Sequence, residues 1–257
     1  MKISFIGTGN VAWHLAHQLR SVGYDILQIS GRNNVTIQKL ATLTNAEPLT
    51  DIRLMSSDAD VIIIAVSDES IPLVAQQLRK LNFRETIVVH TSGTASTEIL
   101  SQENKSYGVF YPLQTFSINK SVKWKDMPIL ITASENRTMQ ILQKIALDTG
   151  GKAVQVDDMY RAKIHLAAVT VNNFTNHVFA LAEEFCNEEH LDFKLLHPLI
   201  DETVLKIKSM PLKEAQTGPA RRKDMSTIRK HIELLSTNDA LKRMYKSLTR
   251  SITQYYK

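Results

Sequence analysis

Cysteine is almost missing from this sequence. Cys186 is the single cysteine among 257 residues, which excludes a disulfide within the chain and leaves a cysteine-based zinc site without a ligand set. We expect Cys186 to pack as a small hydrophobic side chain, and we predict no bound metal.

Long apolar runs are missing too. No segment of the sequence reaches the roughly 18 consecutive apolar residues of a membrane-spanning helix. Near the N-terminus the only apolar stretch is the short core of a strand, far shorter than the hydrophobic region of a secretion signal. We therefore expect a cytoplasmic protein without a membrane partner.

A strong excess of one charge is absent as well. The formal net charge is +5 and charged residues make up 22% of the chain, with no long basic tract and no nucleic-acid-binding motif. This balance favours small anionic molecules over nucleic acid as partners. The length and the hydrophobic content of 43% are sufficient for two domains with separate cores.

What the chain does have is a glycine turn directly after its first strand. The strand reads KISFI, the turn reads GTGNVA, and a helix-forming run follows. Gly7 permits the tight turn, Gly9 lets the backbone approach a pyrophosphate, and Ala12 in place of a third glycine lets helix and strand pack closely. The diphosphate of a dinucleotide would lie at the helix N-terminus. The predicted cofactor contacts here are Gly7, Thr8, Gly9, Asn10 and Val11.

The end of the second strand lacks the carboxylate that would bind the ribose of NAD about twenty residues after the glycine turn. The sequence there gives Ser30, Arg32 and Asn33. A planar cation with two hydrogen-bonding neighbours suits the extra 2′-phosphate of NADP. We therefore predict NADP as the cofactor, with a solvated loop position as the alternative for Arg32.

The pattern of elements predicts an α/β fold. Strands alternate with helices up to about residue 156, and the unbroken apolar run Val61–Val66 is typical of a strand buried on both faces of a parallel sheet. Beyond residue 157 the periodicity is helical throughout. We predict an N-terminal Rossmann doubly wound parallel sheet (1–156) and an all-helical C-terminal domain (157–257).

Ligands of such sheets bind outside the carboxyl ends of the strands, where several polar positions fall. Val66 and Ser67 are predicted to pass along the nicotinamide side of the cofactor, while Asp68 either contacts the cofactor or caps the next helix.

His90 and Ser92 lie at the end of the fifth strand. His90 is a candidate proton donor and Ser92 a candidate substrate contact; alternatively this segment is a structural turn whose hydroxyls cap a short helix near Thr97.

Two further segments offer substrate contacts. In the turn YPLQTF, Tyr111 and Gln114 could orient a carbonyl or carboxylate, although aromatic packing explains Tyr111 almost as well. In the segment TGPARRKD, Arg221 could clamp an anionic substrate, although a solvated charge run is the ordinary interpretation.

Taken together, the glycine turn and the segments HTSG, YPLQTF, HLAAVTVNNF and TGPARRKD resemble a family of Rossmann-like NADP oxidoreductases without an assigned substrate. The C-terminal helical domain of that family is similar to those of pyrroline-5-carboxylate reductase and the 6-phosphogluconate dehydrogenase superfamily. The resemblance covers nearly the whole chain. It implies an N-terminal NADP domain, a helical dimerisation domain, a site shared between the two and a homodimer.

The long helix departs from one branch of that superfamily. The β-hydroxyacid dehydrogenases carry a catalytic lysine four residues before an asparagine, but here Ala168 and Val169 occupy those positions. His165 precedes Asn172 by seven residues, two α-helical turns, so the two would face the same side as proton donor and amide anchor. A buried histidine beside a buried asparagine is the alternative. Asn173 is a further candidate substrate contact.

These patterns lead to two functional hypotheses. The first is an enzyme that transfers a hydride between NADPH and an imine or carbonyl carbon of a small acidic metabolite. The second, kept open by the missing lysine, is an NADP(H)-binding sensor or scaffold without turnover.

Overall fold

The structure is a computed structural model that describes residues 1–81, 83, 85–102 and 105–256. The chain forms two compact units, Met1–Val169 and Thr170–Lys257. By packing, the helix Asp158–Ala168 therefore belongs with the first unit. The functional boundary after residue 156, where the strands end, stays a prediction.

The first unit is built on one sheet. Its eight strands within the described residues are β1 (Lys2–Ile6), β2 (Asp25–Ser30), β3 (Glu47–Leu49), β4 (Val61–Ile64), β5 (Ile87–His90), β6 (Tyr107–Pro112), β7 (Pro128–Ala133) and β8 (Lys152–Gln155). Their order is β3-β2-β1-β4-β5-β6-β7-β8. All neighbours pair in parallel except β6 and β7, which are antiparallel. The predicted α/β fold class is confirmed, with β7 and β8 running against the other strands.

The helices of the first unit cover both faces of this sheet. They are α1 (Asn10–Ser21), α2 (Asn34–Thr44), α3 (Ile71–Arg79), α4 (Asn136–Asp148) and α5 (Asp158–Ala168). Leu15 of α1 packs in the same cluster as Ile63 of β4, whereas Leu78 of α3 packs with Ile62 of that strand. Successive residues of a strand point to opposite faces, so β4 is buried on both sides, as its apolar run predicts.

This order places the strand reversal between β1 and β4, because β2 and β3 extend from one side of β1 and β5 from the other side of β4. The loops that follow β1, β2, β4 and β5 therefore meet at one edge of the sheet. A crevice at such a reversal is where open α/β sheets bind ligands.

The second unit is helical, as predicted. Its helices are α6 (Thr175–Glu188), α7 (His197–Ser209), α8 (Leu212–Ala215), α9 (Pro219–Arg222), α10 (Met225–Leu234) and α11 (Asp239–Tyr255). Cys186 is buried, which confirms its predicted packing role. Within the described part of the chain, no helix combines the length and the apolar character needed to cross a membrane.

A π-helical segment, Val169–Phe174, joins α5 to α6. It begins between His165 and Asn172. The sequence analysis treated their separation of seven positions as two α-helical turns of 3.6 residues each, and that spacing does not apply across a π-helical segment.

Candidate active site

A cavity of about 940 Å³ opens at the carboxyl edge of the sheet in the first unit. It is lined by the loops after β1 to β5, together with Tyr111 of β6 and His165 of α5. Every predicted cofactor contact lines it, namely Gly7, Thr8, Gly9, Asn10, Val11, Ser30, Arg32, Asn33, Val66 and Ser67. The sequence motifs therefore converge on one cavity, and their roles as cofactor ligands stay predictions.

The glycine turn has the shape that a diphosphate needs. Gly7 has a φ of 116°, and a β-carbon on it would come within 2.6 Å of the Ala65 carbonyl carbon. A β-carbon on Gly9 would meet nothing within 4 Å, so the backbone is open to the cavity there. Helix α1 begins at the next residue without a side-chain cap and with no acidic residue in its first turn. An uncapped helix N-terminus facing a cavity fits an anionic group.

The far end of the cavity carries the predicted 2′-phosphate contacts. Arg32 is exposed, which leaves its guanidinium accessible to a ligand. The backbone carbonyl of Ser30 accepts a hydrogen bond from the Gly7 amide at 2.8 Å, which ties the ends of β1 and β2 together. Asn33 has a structural role that the sequence analysis missed. Its Oδ1 caps α2 by accepting from the amides of Val35 and Thr36 at 2.9 and 3.2 Å.

His90 is fully buried. Its Nδ1 accepts a hydrogen bond from the Ser92 amide at 3.2 Å, and its Nε2 lies 3.4 Å from the carbonyl oxygen of Ser96. Burial, followed by the nearby positive charge of Arg161, lowers the pKa of His90 to about 4. A neutral ring with both nitrogens bonded to its own loop favours the structural alternative for His90. Ser92 lines the cavity.

The predicted caps of this region differ from those found. The hydroxyl that caps the short 3₁₀ turn at Thr97–Leu100 belongs to Ser96, whereas Ser92 Oγ accepts from the amides of Thr94 and Ala95.

Helix α3 starts after Ser70 without a side-chain cap, so the capping alternative for Asp68 is wrong. The Asp68 carboxylate instead accepts from the Thr94 hydroxyl at 2.6 Å.

Tyr111 and His165 form a hydrogen-bonded pair at the cavity wall. The Tyr111 hydroxyl lies 2.8 Å from His165 Nδ1, and the two rings meet edge to face with centroids 5.7 Å apart. Burial, with a smaller contribution from the Asp68 carboxylate, raises the pKa of Tyr111. The sequence analysis selected both residues but did not pair them, since 54 positions separate them along the chain.

An ion pair at the start of α5 was missed by the sequence analysis. Arg161 is fully buried and its Nη1 lies 2.8 Å from Asp158 Oδ1. Arg161 also donates to the Ala95 carbonyl and to the Thr132 hydroxyl, and Asp158 accepts from the Thr97 amide and hydroxyl. The pair thus fixes α5 to the loop after β5. Two opposite charges three residues apart resemble an ordinary exposed helix pair in sequence, so only their burial shows this role.

Four other predicted site residues do not line this cavity, namely Gln114, Asn172, Asn173 and Arg221. Gln114 is exposed and its Oε1 accepts the amide of its neighbour Thr115 at 2.9 Å. Asn172 and Asn173 are exposed in the π-helical segment. The Arg221 guanidinium lies 4.6 Å from the centroid of the Tyr256 ring. These three residues of the second unit keep their substrate roles as predictions.

Comparison with known proteins gives matches over both units. Residues 2–93 match the family described as "NADP oxidoreductase coenzyme F420-dependent", and residues 127–252 match a domain of unknown function, DUF2520. A solved structure from Bacteroides fragilis, described as a putative NADP oxidoreductase, is 36% identical, with 98% of each chain covered and a TM-score of 0.94. No curated protein shows significant similarity to the chain.

More distant structures share the fold. A pyrroline-5-carboxylate reductase from Coxiella burnetii is 18% identical over 99% of this chain and 96% of its own, with a TM-score of 0.61. An imine reductase from Myxococcus stipitatus in complex with NADP⁺ is 14% identical over 99% and 93%, with a TM-score of 0.68. The 36% identity over 98% of both chains assigns the family: the chain belongs to the family of NADP oxidoreductases that the Bacteroides fragilis protein represents.

Proposed function

We propose that the protein transfers a hydride between NADPH and an imine or carbonyl carbon of a small acidic metabolite. The observation that carries this proposal is the composition of one cavity. It combines an open, uncapped helix start at Gly9 with the Tyr111–His165 pair. The first feature suits the diphosphate of the cofactor, and the second supplies groups able to move a proton.

In this proposal, different residues of the first unit contact different parts of the cofactor and the substrate. The backbone from Gly7 to Val11 holds the diphosphate at the start of α1, and Arg32 contacts the 2′-phosphate through charge-assisted hydrogen bonds. Val66 and Ser67 lie along the nicotinamide side. When bound, the dihydronicotinamide ring supplies the hydride. Ser92 and Tyr111 orient the substrate.

Relatives support the choice of acceptor. The structures of similar fold include a pyrroline-5-carboxylate reductase and an imine reductase with NADP⁺ bound. An imine that arrives protonated needs little acid help, which suits a chain without the lysine of the β-hydroxyacid dehydrogenases. An acidic substrate suits the cationic Arg221, which we propose as its anchor together with Asn172 and Asn173.

The proposal includes a cytoplasmic homodimer. The second unit exposes large apolar side chains along α7 and at the start of α8, among them Leu199, Leu205 and Leu212. Exposed apolar surface of this kind favours association, and paired subunits are the commonest solution. Sedimentation equilibrium should give twice the chain mass, and replacing Leu205 by Lys should shift it toward the monomer.

The alternative is an NADP(H)-binding sensor or scaffold. It is favoured by Ala168 and Val169, which stand where a related branch has its catalytic lysine. Fold alone does not guarantee a reaction.

One experiment separates the two functions. NADPH and NADH are titrated by fluorescence, and NADPH oxidation is then followed by absorbance with a panel of imines, 2-oxo acids and aldehydes. Oxidised coenzyme F420 is included because the family matched by residues 2–93 is named for it. Substrate-dependent oxidation supports the reductase, whereas tight binding without oxidation across the panel supports the sensor.

A further inference from the structure

We propose that Tyr111 donates the proton that accompanies hydride transfer and that His165 restores this proton through its Nδ1 atom. The inference rests on the proposed reductase function and deepens it, because it assigns the acid of the reaction. The sequence analysis paired His165 with Asn172 and gave Tyr111 a positioning role, so this is a different arrangement of the same residues.

The first support is the placement of the two groups. Both line the cavity that also holds Gly9 and Ser67, and the Tyr111 hydroxyl lies 2.8 Å from His165 Nδ1. That distance is within the range at which a proton passes between heavy atoms. Tyr111 is half-buried, at the end of β6.

The second support is the rigidity of the histidine. A β-carbon on Gly93 would come within 2.6 Å of the His165 ring carbon Cγ, so the imidazole packs directly against Gly93. One helical turn earlier, Arg161 is fully buried and bonded to the carbonyl of Ala95. Helix α5, which carries His165, is therefore fixed to the loop after β5, and a fixed proton relay is what acid catalysis requires.

The third support is the charge around the phenol. The charged group that acts on the phenol is the Asp68 carboxylate, which is bonded to Thr94. Burial raises the pKa of Tyr111 above its ordinary value of 10.0, and Asp68 adds to the effect. The phenol therefore keeps its proton at neutral pH until a stronger base, the reduced substrate, takes it.

The step balances as follows. The substrate carbon gains a hydride from the reduced cofactor, the π bond to oxygen or nitrogen breaks, and that atom takes the phenolic proton of Tyr111. The tyrosinate left behind takes a proton from His165 Nδ1 while Nε2 of the same ring takes one from water, so the net proton comes from solvent. The ring returns to its starting tautomer through solvent before the next cycle. An N-alkylated iminium ion needs the hydride alone, because its nitrogen becomes a neutral amine without a proton.

This difference between substrates provides the test. Tyr111→Phe is compared with the wild type in single-turnover oxidation of bound NADPH by a ketone and by an N,N-dialkyl iminium ion. We expect a loss of about 10²- to 10⁴-fold with the ketone and an unchanged rate with the iminium ion. His165→Gln should show the same selectivity with a smaller loss. Tyr107→Phe, a change on the same strand outside the cavity lining, is the matched control.

A second readout does not depend on turnover. The ring ¹⁵N NMR signals of His165, assigned by comparison with His165→Gln, are recorded for each variant at one pH. Removing the phenol in Tyr111→Phe should shift the Nδ1 signal, because this atom loses its hydrogen-bond partner, whereas Tyr107→Phe should leave the signal in place. An unshifted Nδ1 signal, or an equal loss of rate with ketone and iminium ion, overturns the assignment of Tyr111. Absence of NADPH oxidation by the wild type with both substrates overturns the proposed function instead.

Discussion

Gly93 and His165 are in contact so close that a side chain at position 93 would have to displace the imidazole. A β-carbon there would come within 2.6 Å of Cγ and 3.1 Å of Cβ of His165, both well inside van der Waals contact. The φ of Gly93 is not in the left-handed region, so the glycine is required for space and not for backbone conformation. The loop after β5 thereby determines where the imidazole lies.

Gly93→Ala should displace His165 and break its bond to Tyr111. We expect a loss of roughly 1–3 kcal/mol in the free energy of unfolding, the usual result of overpacking, and a larger relative loss of single-turnover rate with a ketone. Urea denaturation and NADPH fluorescence titration check this. Unchanged NADPH affinity together with lost rate is the expected combination; an unperturbed His165 NMR signal would contradict the contact.

Gly9→Ala should weaken NADPH binding without lowering the stability of the fold. A β-carbon at Gly9 meets nothing within 4 Å, so the melting temperature should stay within about a degree of the wild type, since surface changes usually alter stability by less than about 0.5 kcal/mol. The added methyl group would occupy the space of the diphosphate, so NADPH affinity should fall by about tenfold or more. Gly7→Ala is the contrasting variant: its strained φ of 116° should lower the melting temperature itself.

Arg32→Asp should weaken NADPH far more than NADH. A hydrogen bond to a charged group contributes about 1.5–3 kcal/mol, so we expect a loss of about 10- to 100-fold for NADPH and little change for NADH, with the loss shrinking as salt is added. Lys39→Asp, the same charge reversal at another exposed position, on α2, controls for the change in net charge. Equal weakening of both cofactors would remove the case for a 2′-phosphate contact.

His90 should make the protein sensitive to mild acid. Its pKa is lowered from 6.5 to about 4 in the folded protein. Between these values the unfolded chain binds a proton that the folded chain does not, so the free energy of unfolding should fall as the pH decreases from 6.5 to 4 and then level off. Denaturant titrations across this range should show a flatter profile for His90→Gln than for the wild type. His17→Gln, an exposed change on α1, should keep the wild-type slope.

The sequence alone selects cofactor-binding candidates that all line one cavity, because most of that pattern is local. A strand, a glycine turn and a helix are adjacent in the chain, and the sheet order then brings Arg32 and Ser67 to the same edge. The predicted catalytic residues are a different case. His90 and His165 look alike as polar residues near the ends of elements, and burial alone separates the structural one from the one that lines the cavity.

The sequence by itself determined the α/β sheet, the helical second unit and the place of the glycine turn, since these depend on periodicity and on backbone freedom within a few residues. Only the tertiary structure decided that Tyr111 meets His165 and that Arg161 is buried. Those contacts join residues far apart in the chain, and they exist because β6, the loop after β5 and helix α5 pack together. No local pattern encodes the distance between two side chains brought together in this way.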